Sequence, residues 1–131
     1  MGGEKIFEKI DHVEIVVRDL EESMNFYMSV LDFNFVERVE MEEHARIEEL
    51  AYLELGDTLL ELLSVKDPAD RPEEEWWIGY RMMAIEVEDM ESALEEIPAE
   101  VNVVWGPKDM GDFMRAEIED PNGIPDRKSV V

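Results

Sequence analysis

Two stretches of the chain carry the same pattern at a spacing of 70 residues. The first runs from His12 to Asp19 (HVEIVVRD) and the second from Met82 to Asp89 (MMAIEVED). In each, every second position before the final aspartate is apolar and the positions between them are mixed in character, a period of two that is typical of a β-strand. The aspartate that ends each stretch can cap a helix that follows. The repeat predicts a chain that is built from two copies of one supersecondary unit.

Each copy continues with the same series of elements: strand, helix, strand, strand, strand. In the first copy, the strands are expected at Ile10–Val17, Phe33–Val39, Ile47–Leu55 and Leu59–Val65. In the second copy, they are expected at Arg81–Val87, Val101–Trp105, Phe113–Glu119 and Ile124–Val130. A helix is expected after Asp19, where apolar residues recur at helical spacing, and a shorter helix is expected after Asp89.

The fold class that follows is α+β, with two βαβββ modules that form a cupped mixed sheet and carry their helices on its convex side. We expect residues 1–131 to form one domain, with a first module at about 8–66, a charged connector at 67–78 and a second module at about 79–131. Two such modules placed side by side would enclose a concave cleft.

Charge and composition exclude several classes of function. The chain has 12 basic and 35 acidic residues, a net charge of −23, so binding to a nucleic-acid backbone or an anionic membrane surface is disfavoured. Hydrophobic residues make up 45% of the chain, which is enough for a folded core, and the absence of cysteine excludes disulfides and thiolate chemistry. Because the N-terminus lacks the apolar run of a signal peptide and no segment reads as a membrane span, we expect a cytoplasmic protein.

The segment IDHVEIVVRDLEESMNFYMSVLDF at 10–33 combines a strand that carries His12 with the pairs Asp19-Leu20, Phe26-Tyr27 and Val30-Leu31. In these features it resembles the opening of the glyoxalase, bleomycin-resistance and extradiol-dioxygenase group, also called the vicinal-oxygen-chelate superfamily. The stretch LGDTLLELL at 55–63 resembles the fourth strand of that family, and EVEDMESALEEI at 86–97 and EDPNGIP at 119–125 resemble parts of its second module. One departure is Asp32, where the family usually has glycine. The resemblance covers nearly the whole chain and implies the two-module fold.

Family members that bind metal usually take one ligand from the first and last strands of each module. The resemblance therefore implies His12 and Glu61 as ligands from the first module, and these groups suit a divalent cation such as Ni, Zn, Mn or Fe. The second module departs from the pattern, because Met82 stands where a second histidine is common and Arg127 stands where a glutamate is expected. A thioether is a poor ligand for such a cation, and a guanidinium cannot ligate it.

Three explanations of this incomplete ligand set remain open. The site binds no metal, as in the binding-protein branch of the superfamily. Alternatively, the site is rebuilt with Glu14 and Glu86, which strand alternation places on the same cleft face as His12 and Glu61. In the third explanation, the polar tail at 126–131 is not native, and the expected glutamate has been lost with it.

Two functions follow from these alternatives. The first is a divalent-metal-dependent lyase or isomerase of the epimerase type that acts on a small carbonyl substrate, with Glu86 or Glu14 as the catalytic base. Anionic substrates would require Arg81, Arg115 or Lys108 to gather at the mouth of the cleft. The second function is a metal-free protein that binds and sequesters a small molecule, as bleomycin-resistance proteins do.

The expected partners are few. A small-molecule ligand would lie in the concave cleft, and a cationic, partly aromatic guest would suit Trp76 or Trp77 there. The resemblance also implies that two chains pair as a homodimer. Neither nucleic acid nor a membrane is expected as a partner, for the reasons of charge given above.

Overall fold

The fold is described from a computed structural model, which covers residues 5–74 and 76–123 in full and the backbone of residues 125–130. The first unit comprises β1 (His12–Val17), α1 (Leu20–Ser29), β2 (Asn34–Glu40), β3 (Ile47–Leu55) and β4 (Thr58–Val65). The second comprises β5 (Met83–Glu86), α2 (Met90–Glu95), β6 (Val103–Asp109), β7 (Met114–Glu119) and β8 (Pro125–Val130). The elements follow the order expected from the sequence. Ile124, where the last strand was expected to begin, and the side chains of the tail at 126–131 lie outside the described residues.

The two units have the same sheet topology. The strand order is β1-β4-β3-β2 in one four-stranded sheet and β5-β8-β7-β6 in the other. In each sheet the first strand of the unit pairs in parallel with the last strand, and the other pairs are antiparallel. The sequence repeat is therefore a structural repeat. The predicted α+β fold, with two βαβββ units in a cupped mixed sheet and helices on its convex side, is confirmed.

Both helices are short and begin at an aspartate cap. The side chain of Asp19 accepts a hydrogen bond from the backbone N–H of Glu22 at 3.1 Å, and Asp89 accepts one from the N–H of Glu91 at 3.2 Å. These bonds satisfy N–H groups that the first turn of a helix leaves without a partner. With 10 residues in α1 and 6 in α2, no helix in the described part of the chain has the length and apolar character needed to cross a bilayer.

Strand alternation divides the first sheet into a core face and an open face. On β4, Leu60 and Leu62 are buried in the cluster that also contains Tyr27 of α1 and Leu53 of β3. Full burial of a leucine side chain contributes roughly 1.5–3 kcal/mol to folding, so this packing holds the helix against the sheet. Because neighbouring residues on a strand point to opposite faces, Glu61 lies on the face turned away from the helix.

The two units share one hydrophobic core and are also connected by hydrogen bonds between side chains. Ile118 of β7 is fully buried in the same cluster as the residues of α1. The turn at 120–123 also contacts α1 directly, because the hydroxyl of Tyr27 donates to Asp120 at 2.8 Å and the side chain of Asn122 donates to Oγ of Ser23 at 3.1 Å. The second unit thus completes the packing of the first helix.

Gly106 fixes the course of β6 beside β7. Its φ is +75°, and a Cβ atom at this position would lie 2.5 Å from the carbonyl oxygen of Arg115, so a larger residue would collide with backbone. The pairing register shifts around Gly106, with Trp105 opposite Glu117 on one side and Lys108 opposite Arg115 on the other. The glycine therefore brings a tryptophan and a lysine next to charged residues of β7.

Candidate functional site

Three side chains meet on the open face of the first sheet. His12 and Glu14 are alternate residues of β1 and so point to the same side, and the parallel pairing of β1 with β4 places Glu61 beside Glu14. One possible ligand atom from each of the three residues lies within 4.8 Å of the other two. The cluster contains one imidazole and two carboxylates, of which Glu61 is buried with 4% of its surface exposed.

The imidazole of His12 is held from both of its ring nitrogens. Nδ1 lies 2.9 Å from Oδ2 of Asp11, and Nε2 lies 3.0 Å from Oε2 of Glu61 and 3.6 Å from Oε1 of Glu14. These carboxylates raise the pKa of His12, with the hydrogen bond to Asp11 as the largest cause. Asp11 thereby orients the ring and leaves Nε2 directed at the two glutamates, as carboxylates behind metal-binding histidines commonly do.

Burial makes Glu61 the unusual carboxyl of the cluster. Burial is the largest cause that raises the pKa of Glu61, and Glu14 raises it further through a hydrogen bond and its charge. The positive charge of His12 and a hydrogen bond from Tyr52 act in the opposite direction without cancelling the increase. In the absence of a cation, a proton is therefore held on this carboxyl to a higher pH than usual.

Asp11 and Tyr52 belong to the site but were not predicted from the sequence. Asp11 immediately precedes β1, and the ring of Tyr52 on β3 stands edge-on to the ring of His12 with 6.0 Å between centroids. The acid next to a strand histidine was a usable signal for Asp11. Tyr52 had no such signal, because its place beside Glu61 depends on the register between β3 and β4.

The donor set fits a divalent cation. A histidine nitrogen and carboxylate oxygens are ligands that zinc, nickel, manganese and iron accept. A set of no more than three protein ligands would leave coordination positions for water and substrate, which is the arrangement of catalytic rather than structural sites. Because the pKa values of His12 and Glu61 are raised, protons compete with a cation for these groups up to a higher pH than usual.

Comparison with known families agrees with this architecture. The model of the Glyoxalase/Bleomycin resistance protein/Dioxygenase superfamily matches residues 9–125, which is most of the chain. The chain belongs to this superfamily. The family resemblance that we recognised in the sequence is thus confirmed, and the match extends from the first unit to the start of β8 in the second.

Individual relatives share the fold at low sequence identity. The uncharacterised protein YwkD of Bacillus subtilis (strain 168) is 28% identical over 92 residues, which cover 70% of this chain and 71% of YwkD. A glyoxalase family protein from Bacillus cereus has a TM-score of 0.82 at 18% identity, covering 99% of this chain and 97% of that one. The trypanothione-dependent glyoxalase I of Leishmania major has a TM-score of 0.75 at 24% identity, covering 93% and 86%. These structures share the fold, and function has to be argued from the site.

In this glyoxalase-superfamily chain, none of the described side chains of the second unit joins the cluster. Glu86 lies exposed on β5 of the other sheet, and among the described residues it is not part of the group formed by His12, Glu14 and Glu61. Met82 is half-buried, with its sulfur 3.7 Å from Nη1 of Arg81. Arg127 occupies the position in the second sheet that Glu61 occupies in the first. Its backbone pairs with Ala84 and Glu117, as the backbone of Glu61 pairs with Glu14 and Tyr52. The structure therefore brings together His12, Glu14 and Glu61 of the predicted rebuilt site, but not Glu86.

The raised pKa of Glu61 predicts a pH-dependent effect on the stability of the fold. A carboxyl whose pKa is raised by folding contributes stability that is present at low pH and is lost as the pH rises through the raised value. At pH 7 without metal, Glu61→Gln is therefore expected to unfold at a temperature a few degrees higher than the unmodified protein, a gain on the order of 1 kcal/mol. The difference should disappear by about pH 4. Thermal unfolding in a chelator at both pH values measures it, and a variant that is less stable at pH 7 would contradict the assignment.

Proposed function

We propose that the protein is a divalent-metal-dependent lyase or isomerase that acts on a small carbonyl substrate. The observation that carries this proposal is the convergence of His12, Glu14 and Glu61 within 4.8 Å on the open face of the first sheet. Membership of the glyoxalase superfamily supports the reaction class, and the donor set supports the cation. The two units are proposed to act as one domain, in a cytoplasmic protein that pairs as a homodimer.

His12 and Glu61 are the residues that would hold the cation. When bound there, a divalent ion supplies a Lewis acid that polarises a carbonyl oxygen and so acidifies the neighbouring C–H group. Asp11 keeps Nε2 of His12 directed into the cluster by its contact with Nδ1. The burial of Glu61 limits the water around its carboxylate, and a drier site makes each electrostatic interaction stronger.

Glu14 is the residue that we assign as the base. Its side chain is 55% exposed, so it can reach a ligand that approaches from solvent, and its Oε1 is 3.6 Å from Nε2 of His12. It would accept the proton from the carbon next to the carbonyl and return it to a neighbouring atom or to the opposite face. Glu86 was the other candidate base, but it lies on the second sheet and outside the cluster.

A specific feature also favours a second candidate function, which is metal-free binding of a small molecule. A cavity of about 330 Å³ lies against the second sheet, and Trp77 and Trp105 are among the residues that line it. Its volume is at the lower end of the range for small-molecule pockets. None of the three residues of the candidate metal cluster lines it, so it can bind a ligand whether or not a metal is present.

Metal binding and proton exchange test the proposed function together. Metal-depleted protein is titrated calorimetrically with Ni²⁺, Zn²⁺, Mn²⁺ and Fe²⁺, with one equivalent expected for at least one of them. Small 2-ketoaldehydes and α-hydroxy ketones are then incubated with the protein in D₂O, and deuterium incorporation next to the carbonyl is followed by NMR. We expect exchange only in the metal-loaded protein.

Matched glutamine variants separate the two roles. Glu14→Gln is expected to keep metal binding within about tenfold and to lower the exchange rate by about 10²–10⁴-fold, the usual range for loss of a general base. Glu86→Gln is the control and should retain both properties. Absence of both metal binding and exchange would rule out the enzyme and leave small-molecule binding as the function.

A further inference from the structure

The connector and the second sheet enclose a cavity that the proposed catalytic cluster does not use. Its volume is about 330 Å³, and the residues that define its character are Arg71, Trp77, Arg81, Trp105 and Glu117. We call it the connector cavity. Arg71 ties the connector to the turn after β7 through a hydrogen bond from Nη1 to the carbonyl oxygen of Gly123, and Arg18 holds Asp70 by an ion pair.

Basic side chains lie over all three tryptophans of the chain, of which Trp77 and Trp105 line the cavity. The guanidinium of Arg71 lies 5.0 Å from the ring centre of Trp77, and that of Arg81 lies 4.3 Å from the ring of Trp76. Trp105 has two such neighbours, Arg115 at 5.3 Å and Lys108 at 5.9 Å. Arg71 and Arg81 line the cavity, and Lys108 and Arg115 lie beside it, over the ring of its lining residue Trp105. A guanidinium that lies over a ring still presents its N–H donors at its edge.

One buried carboxylate is shared between two of these arginines. Glu117, only 7% exposed, accepts a hydrogen bond from Nη2 of Arg115 at 2.6 Å and lies 3.7 Å from Nη1 of Arg81. Among the described residues, Nε of Arg115 is the buried side-chain nitrogen that has no hydrogen-bond partner. A buried donor without an acceptor costs free energy that a suitable ligand atom would recover.

Other acidic residues also line the cavity, but they are placed differently. Glu73 and Glu74 are exposed on the connector, and Glu119 is half-buried at the end of β7. Solvent screens the charges of exposed side chains far more than it screens the buried carboxylate of Glu117. Around Glu117 itself the balance is two guanidinium groups, those of Arg81 and Arg115, to one buried carboxylate.

We propose that the connector cavity binds a planar carboxylate, with the carboxylate group of the ligand on Arg81 and Arg115 and its ring against Trp77 and Trp105. The forked N–H donors of arginine match the two oxygens of a carboxylate, and the indole rings offer flat apolar surface. Of the three basic residues that anionic substrates would require, Arg81 lines this cavity, whereas Arg115 and Lys108 lie next to it, over Trp105. A cationic aromatic guest, as first considered for Trp76 and Trp77, would meet rings already covered by positive charge.

Three ligands that differ only in charge test this inference without metal. Benzoate, benzamide and benzylamine share one ring and carry negative, neutral and positive groups. Metal-depleted protein is titrated with each, by calorimetry and by tryptophan fluorescence. We expect benzoate to bind at least about tenfold more tightly than benzamide, the difference that one charge-assisted hydrogen bond makes, and benzylamine not to saturate. Equal affinities, or a preference for benzylamine, would overturn the proposal.

Variants locate the binding to the cavity. Arg81→Gln and Arg115→Gln should each remove the preference for benzoate over benzamide, whereas Arg46→Gln, the same change of charge in the loop before β3, should keep it. Glu117→Gln should tighten benzoate binding several-fold, because the competing carboxylate is neutralised while its shape is preserved. If Arg46→Gln weakens binding as much as the cavity variants, or if Glu117→Gln weakens it, the assignment is wrong.

This inference deepens the second candidate function, small-molecule binding at the same cavity, and does not depend on the proposed enzyme. Benzoate binding is measured in the absence of metal, and the variants lie outside the group of His12, Glu14 and Glu61. The His12→Ala variant should therefore bind benzoate as well as the unmodified protein does. A protein that binds metal but shows no preference for benzoate would contradict the cavity assignment alone.

Discussion

His12→Ala is expected to weaken the binding of a divalent metal ion by at least about a hundredfold, a loss larger than the 10–100-fold that follows from altering a residue behind a ligand. The imidazole supplies the nitrogen donor of the cluster, and its Nε2 lies 3.0 Å from Oε2 of Glu61. Without it, Glu61 and Glu14 remain as two acidic groups on one sheet face. Two carboxylates without the nitrogen donor hold these cations less tightly and with less selectivity.

The chain offers a matched control for this variant, because it has a second histidine outside the cluster. Nδ1 of His44 accepts hydrogen bonds from the backbone N–H groups of Arg46 and Ile47, each at 2.9 Å, in the loop between β2 and β3. His44→Ala should therefore retain one equivalent of metal by elemental analysis after dialysis. Equal metal loss in both variants, or full retention in His12→Ala, would remove His12 from the site.

Tyr27→Ala is expected to destabilise the protein by about 3–5 kcal/mol, as for other large residues that are deleted from a core. Tyr27 has no exposed surface, and its ring packs edge-on against Phe26 and Phe33 with centroids 5.2 Å and 5.4 Å away. Its hydroxyl donates to Asp120 of the other unit. Since a typical domain is stable by about 5–15 kcal/mol, this single change would remove a large share of the free energy of unfolding.

Two further variants divide this effect into its parts. Tyr27→Phe keeps the ring and removes only the hydroxyl, so it should cost about 1–3 kcal/mol for the contact with Asp120. Tyr80→Ala removes the same side chain from a fully exposed position and should stay within about 0.5 kcal/mol of the unmodified protein. Denaturant unfolding followed by fluorescence and circular dichroism measures all three. If Tyr27→Ala costs no more than Tyr80→Ala, the core does not join the two units as described.

The fold was readable from the sequence because its signals are local. Period-two alternation at His12–Val17, helical spacing after Asp19 and the repetition of both near Met82 determine the elements and their order. Pairing partners were not readable in this way. The register of β3 on β4 brings Tyr52 to Glu61, and it depends on packing across the sheet rather than on neighbouring residues.

The candidate site was only partly readable, for reasons that differ between residues. His12 and Glu14 share a face by alternation alone, and Glu61 followed from the family resemblance. The same alternation put Glu86 on a cleft face, but it carries no information about the distance between two sheets. The contact of Asp11 with Nδ1 of His12 could not be predicted from strand alternation, because β1 begins at His12 and Asp11 lies just before it.

The break at Gly106 has a consequence for how the protein behaves at high concentration. β6 lies at the outer edge of its sheet and exposes Val103 and Val104, which are residues that favour strand pairing. An uninterrupted edge of this kind invites a strand from another molecule and so seeds aggregation. The register shifts, the proline at 107 that lacks an N–H donor and the charge of Lys108 interrupt that edge. The same short segment that places Trp105 beside Glu117 thus also protects the chain from aggregation through this strand edge.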